Sequence, residues 1–164
     1  MSGASTLAGY CYLKQLPVFP PALYELACPW SPGERLADWF RPRVVELTYT
    51  SCDIASFTRY YGYDGPPFRW DEARGFLLRA ELDAAFFHLY GIGREDVDYI
   101  LETFPIVKQD DEKRSGEYRI KRVILERYDA LAQASTTGTP YQTVLDLPPA
   151  DPLCAHPLRC PPEP

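Results

Sequence analysis

The chain has 164 residues, 46% of them hydrophobic and 14% aromatic, enough to bury a single core and too few for two comfortable ones. A formal net charge of −6 argues against a protein that coats nucleic acid, because phosphate contacts need clustered Lys and Arg. No apolar run approaches membrane-spanning length before a charge or proline interrupts it, so no membrane partner is expected.

Met1 to Gly9 is small and polar, and the spacing of Tyr10 to Leu16 suits a short strand. Pro17, Pro20 and Pro21 then force an extended path through Val18 and Phe19. No partner strand follows, so this stretch reads as built to pair with something the chain does not contain. Tyr24 to Ala27 suits a helical turn, Pro32-Gly33 a tight turn, and Leu36 to Phe40 a brief helix. Arg41 to Thr50 is ambiguous between strand and helix. Pro42 at a first helical position favours helix.

Ser51 or Asp53 can cap a helix from Ile54 to Tyr61 that stops at Gly62. Tyr63 to Phe68 then makes a rigid aromatic turn. From Asp71, the side chains Phe76, Leu77, Ala80, Ala84, Phe87 and Leu89 recur at helical steps until Gly91 and Gly93. Arg94 to Thr103 forms a short helix with Val97, Ile100 and Leu101 on one side and Glu95 and Asp96 in its first turn. Pro105 is expected to close it. A charged turn from Lys108 to Gly116 leads to a last helix on which Ile120, Val123, Ile124, Tyr128 and Leu131 share a face. Beyond Ala134, the cluster Ser135 to Pro140 and the prolines from Pro148 onward predict an irregular tail laid through Tyr141, Val144 and Leu145.

The expected fold is therefore mainly α: a small helical domain over 35–134, preceded over 1–34 by an extended, proline-rich segment with one short strand. A proline-rich irregular tail over 135–164 follows. The core should come from three consecutive helices between Trp70 and Leu131. Five cysteines, with no Cys-x-x-Cys and no signal peptide ahead of them, predict reduced thiols and a cytoplasmic location.

Little in the chain suggests chemistry. Asp111-Glu112-Lys113 contains the acid-x-Lys fragment of metal-dependent nucleases but sits in a polar turn without the sheet that such a site needs. His88 suits packing or capping at a helix end. Cys154, His156 and Cys160 resemble half a zinc site with no second pair, so no metal is expected. Between Lys108 and Arg127, seven basic residues face five acids. Any anion-facing surface should lie there, with Lys108, Lys113, Arg114, Arg119, Lys121 and Arg122 as candidates for DNA-backbone contact. The plainer expectation is a solvated face with intrahelical pairs such as Glu117 with Lys121.

Gly65-Pro66-Pro67-Phe68 echoes the Asn/Asp-Pro-Pro-Tyr/Phe loop of amino-directed DNA methyltransferases, but Asp64 stands one place too early to supply the polar residue. Longer stretches carry a broader resemblance. Tyr12 to Pro21, Leu47 to Thr50, Gly62 to Glu72, Arg79 to Gly91, Ile100 to Val107, Gly116 to Arg119 and Tyr128 to Tyr141 resemble the C-terminal end of large bacterial adenine-specific DNA methyltransferases. These belong to restriction-modification and phage-defence systems and include the bifunctional type IIG enzymes. The chain departs from that pattern at Gly93, where a capping Ser is expected, and at Cys52, in place of Trp.

In that family the catalytic motif and the S-adenosylmethionine site lie upstream, in a domain with no counterpart here. The resemblance therefore implies a non-catalytic helical segment that supports the target-recognition module and contacts the DNA backbone. It implies no catalytic residue, no cofactor-binding residue and no cofactor of the chain's own. Its partners would be DNA and an upstream methyltransferase or target-recognition domain. The alternative expectation is an independent interaction subunit docking on a methyltransferase or defence complex, which predicts an exposed apolar patch near Tyr10 to Trp39.

Overall fold

The computed structural model describes residues 16–157. The expected strand at Tyr10 to Leu16 therefore lies outside the described residues except for Leu16. Among the described residues the protein is mainly helical, with α1 at Leu36–Thr48, α2 at Ala55–Tyr60, α3 at Glu72–Leu89, α4 at Arg94–Glu102, α5 at Pro105–Ser115 and α6 at Arg119–Thr137. Extended pairing among these residues is limited to isolated bridges, Ala27 with Arg35 and Phe68 with Ala155.

α3 is the helix on which the rest assembles. The Asp71 carboxylate accepts the Arg74 backbone N–H at 2.9 Å and caps it, and Gly91 in the left-handed region (φ 66°) turns the chain out of its far end. Its small residues Ala80, Ala84 and Ala85 are fully buried and let α6 approach closely through Val123, Ile124 and Leu131. α4 adds Val97 and Leu101 to the same core. Three helices thus supply this core as expected, but they are not consecutive, since α5 intervenes between α4 and α6 and buries nothing; Cys28, Trp30, Leu36, Trp39 and Phe40 from the N-terminal side extend the core. A smaller core gathers Val45, Tyr49, Ala55, Phe68 and Ala155.

Several local expectations change. Leu36 to Thr48 is one helix with Pro42 inside it, not two. The N–H and steric cost of an interior proline, about 3 kcal/mol, is outweighed by burial of Leu36, Trp39, Phe40 and Val45, at roughly 1.5–3 kcal/mol for each large apolar side chain. Neither Ser51 nor Asp53 caps α2; the Ser51 hydroxyl donates to the Asp53 carboxylate at 3.1 Å instead, and a 3-10 turn at Cys52–Ile54 precedes the helix.

Pro105 opens a helix rather than closing one. The expected charged turn from Lys108 is α5, ended by Gly116 at φ 80°. α6 in turn runs through the expected breaker Ser135-Thr136-Thr137: burial of Leu131 and Ala134 holds its last turns, and each hydroxyl is accommodated by bonding back to the carbonyl four residues earlier, at 2.9–3.0 Å. The cysteines also depart from a uniformly reduced set, since pairing follows approach in space rather than spacing in sequence. Cys52 is disulfide-bonded, Cys28 and Cys154 are free thiols, and Cys11 and Cys160 lie outside the described residues.

The tail after Gly138 is irregular, as expected, and it is firmly attached. Two buried acids hold it. The Tyr141 and Thr143 hydroxyls donate to the Glu81 carboxylate at 3.0 and 2.5 Å, and the Ala150 N–H donates to Glu46 at 2.7 Å. Arg74 joins Glu46 through both carboxylate oxygens and also donates to the carbonyls of Leu147 (3.0 Å) and Pro148 (2.9 Å).

Candidate functional site

The basic stretch from Lys108 to Arg127 spans α5, the Gly116 turn and α6, and ion pairing separates its cations into those with a carboxylate partner and those without. Lys108 and Lys121 converge on Glu102 at 2.8 and 2.7 Å, and Lys121 also reaches Asp98 at 2.8 Å. Held between two ammonium groups, the Glu102 carboxyl is pulled down to about 2. These contacts tie α4, α5 and α6 together. Arg122 is held between Glu117 at 2.8 Å and Glu126 at 2.7 Å, so its acids replace the expected Glu117–Lys121 pair. Lys113 sits loosely beside Asp110 at 3.9 Å.

Arg114 and Arg119 differ from these four. Neither has a carboxylate partner among the described residues, and both line one groove of about 610 Å³ between α3, α5 and the start of α6. The Arg119 guanidinium lies over the Phe76 ring, 4.1 Å from its centroid, which fixes the cation while leaving its N–H edge free. Arg79, Glu72, Asp83 and Asp111 also line the groove. Glu72 pairs with Arg79 at 3.6 Å, and Asp111 accepts the Ile120 backbone N–H at 2.7 Å, capping the first turn of α6.

The remaining sequence candidates have structural settings. Asp111, the acid of the nuclease-like fragment, is that cap. In the Pro-Pro turn, the Tyr63 hydroxyl donates to the Pro66 carbonyl at 2.9 Å and Phe68 is fully buried, its N–H bonded to the Tyr49 carbonyl at 2.7 Å. His88 stacks on the Tyr128 ring at 3.8 Å and its Nε2–H donates to the Tyr128 carbonyl at 2.9 Å. Burial pushes this imidazole below its ordinary range. The His156 N–H bonds the Pro67 carbonyl at 2.8 Å, and Cys160 lies outside the described residues. Gly93 at the N-cap of α4 offers no side-chain acceptor. No group of three His, Cys, Asp or Glu side chains among the described residues is placed to hold a metal ion.

The Arg43–Glu81 pair is absent from the candidates that the sequence pattern singles out. Glu81 is 0% exposed and Arg43 5% exposed. Arg43 donates to Glu81 at 2.8 Å and to the Trp39 carbonyl at 2.7 Å, with its guanidinium 3.5 Å from the centroid of the Trp39 ring. The signal was available: Glu81 stands three residues after Leu78 and four before Ala85, in register with the apolar face of α3.

Two apolar surfaces face outward. At the α4–α5 corner, Tyr99 is 71% and Ile106 75% exposed, with Phe104 and Val107 beside them in sequence and also exposed. On the N-terminal side, Phe19, Tyr24, Phe40, Val44, Phe57 and Tyr61 line a groove of about 450 Å³, and Leu16, Val18 and Leu26 are exposed nearby in the chain. No helix among the described residues is long and apolar enough to cross a membrane. Comparison of the chain with family models, curated proteins and solved structures finds no match.

Proposed function

We propose that the chain is a non-catalytic helical segment of an adenine-specific DNA methyltransferase of a restriction-modification system. It supports the target-recognition module and touches the DNA backbone. The sequence resemblance from Tyr12 to Tyr141 motivates this reading, and the outward-facing corner of Tyr99, Phe104, Ile106 and Val107 supports it. Exposed apolar side chains of this size favour cover by a larger neighbour. Methyl transfer and S-adenosylmethionine belong in this reading to the upstream domain. Calorimetric titration with S-adenosylmethionine is expected to show no heat of binding, and micromolar or tighter affinity would overturn the non-catalytic role. Titration with duplex DNA at low and high salt tests the backbone contact, which absence of binding even at low ionic strength would remove.

A second reading, an independent subunit docking on a methyltransferase or defence complex, is favoured by the apolar groove lined by Phe19, Tyr24, Phe40, Phe57 and Tyr61. Phe19 and Tyr24 fall inside the stretch where that reading expects an apolar patch, whereas Phe40, Phe57 and Tyr61 come from beyond it. Monomeric behaviour with no concentration-dependent association and no partner protection of these residues in hydrogen exchange would count against it.

A further inference from the structure

Of the fifteen lysines and arginines among the described residues, Arg114 and Arg119 alone have neither a carboxylate nor a carbonyl partner there. In an acidic protein, where ion pairing absorbs nearly every cation, the two exceptions fall in the same groove. The geometry points to a phosphate-binding site in the groove between α3, α5 and α6, with Arg114 and Arg119 as the ligating cations. The groove's acids do not cancel them. Glu72 pairs with Arg79, and burial disfavours the charged form of Asp83, pushing its carboxyl above the ordinary range with Arg79 acting the other way. The Asp111 carboxylate faces the Ile120 N–H at the positive end of α6. A guanidinium stacked on Phe76 keeps its planar donor edge for two oxygens of one phosphate, and Arg114 at the end of α5 supplies a second fork.

The phosphate can belong to a DNA backbone or to a small phosphate compound. The DNA source rests on the function proposed above, whereas the phosphate chemistry does not. Both sources are tested on the full chain by titrating a 20-base-pair duplex and, separately, pyrophosphate. The variants are R114Q/R119Q, the charge-matched control R59Q/R94Q, and R114K/R119K, which keeps the charge but loses the fork.

Two lost phosphate contacts lower the slope of log affinity against log salt by about 1.8, which makes the wild-type advantage shrink about twelvefold between 50 and 200 mM salt. The expected result is that loss in R114Q/R119Q alone, with the slope kept in R114K/R119K. If pyrophosphate binds in a way R114Q/R119Q abolishes while duplex does not bind at all, the site stands, its ligand is a small phosphate compound, and the DNA contact proposed above is removed. If duplex binds equally well to wild type and R114Q/R119Q and pyrophosphate does not bind, the site is overturned and the DNA contact lies elsewhere on the chain. Failure of both probes overturns both.

Discussion

Replacing Arg43 with methionine tests what holds α1, α3 and the tail together. The substitution keeps most of the stem's volume over Trp39 and removes the guanidinium, leaving the Glu81 carboxylate at zero exposure with only the Tyr141 and Thr143 hydroxyls as donors. With charge centres about 4 Å apart and an effective dielectric of 20, the lost attraction is about 4 kcal/mol, in line with the roughly 3–5 kcal/mol seen when one partner of a buried pair is removed. For a chain of this size each kcal/mol moves Tm by about 2–4 °C, so R43M should lower Tm by at least about 6 °C. Thermal unfolding followed by the fluorescence of Trp30 and Trp39, both in the main core, measures the Tm shift, and urea unfolding measures the free energy. The double variant R43M/E81M should be less destabilised than R43M. It removes the buried charge and strands the Tyr141 and Thr143 hydroxyls, about 1 kcal/mol each, while the bond from Arg43 to the Trp39 carbonyl is lost in R43M and the double variant alike. A loss below about 1 kcal/mol in R43M, or a double variant as unstable as the sum of the singles, would refute a coupled buried pair.

Arg74→Gln should release Leu147 to Ala150, since Arg74 holds Glu46, Leu147 and Pro148 at once; limited proteolysis should then cut near Ala150, and an unchanged digest would contradict this. Gly138→Ala should cost about 1 kcal/mol, seen in Tm, from backbone strain alone, because the position has φ 69° and open space where a Cβ would stand. His88 gives a pH dependence. Its folded pKa is depressed by burial, so the unfolded chain takes up the proton first, and stability is full above the unfolded value of about 6.5 and declines as pH falls below it. The difference in unfolding free energy between wild type and H88Q should therefore shrink from pH 7.5 to pH 5.5, and a constant difference would rule the effect out.

Elements carried by an apolar stripe were legible in the residues. α3 could be read because Asp71, the run from Phe76 to Leu89 and Gly91 agree on one helix, and α4 because Val97 and Leu101 fall on one face. α5 could not, since it buries nothing. It is held by polar means that periodicity does not register: Pro105 at its start, Gly116 at its end, the Lys108–Glu102 pair and the Asp111 bond to α6. The tail was hidden for a related reason. Its anchors are Glu46 and Glu81, acids in helices that close about 60 to 104 residues away in sequence.

The candidate site was half legible for the same reason. Counting charges between Lys108 and Arg127 finds a basic excess, but only ion pairing in space separates cations already satisfied from those still open to a ligand. Lys108 and Lys121 lose their availability to Glu102, outside the basic stretch, and Lys121 also to Asp98. Arg114 keeps its availability because α5 is a helix: a turn there would not fix it at the helix end beside Ser115, along the groove that Arg119 borders from α6. The helix at Pro105–Ser115, expected as a turn, is thus what sets these cations apart by position. Once α5 is in place, Arg114 and Arg119 stand out as the two of the six with no carboxylate partner among the described residues.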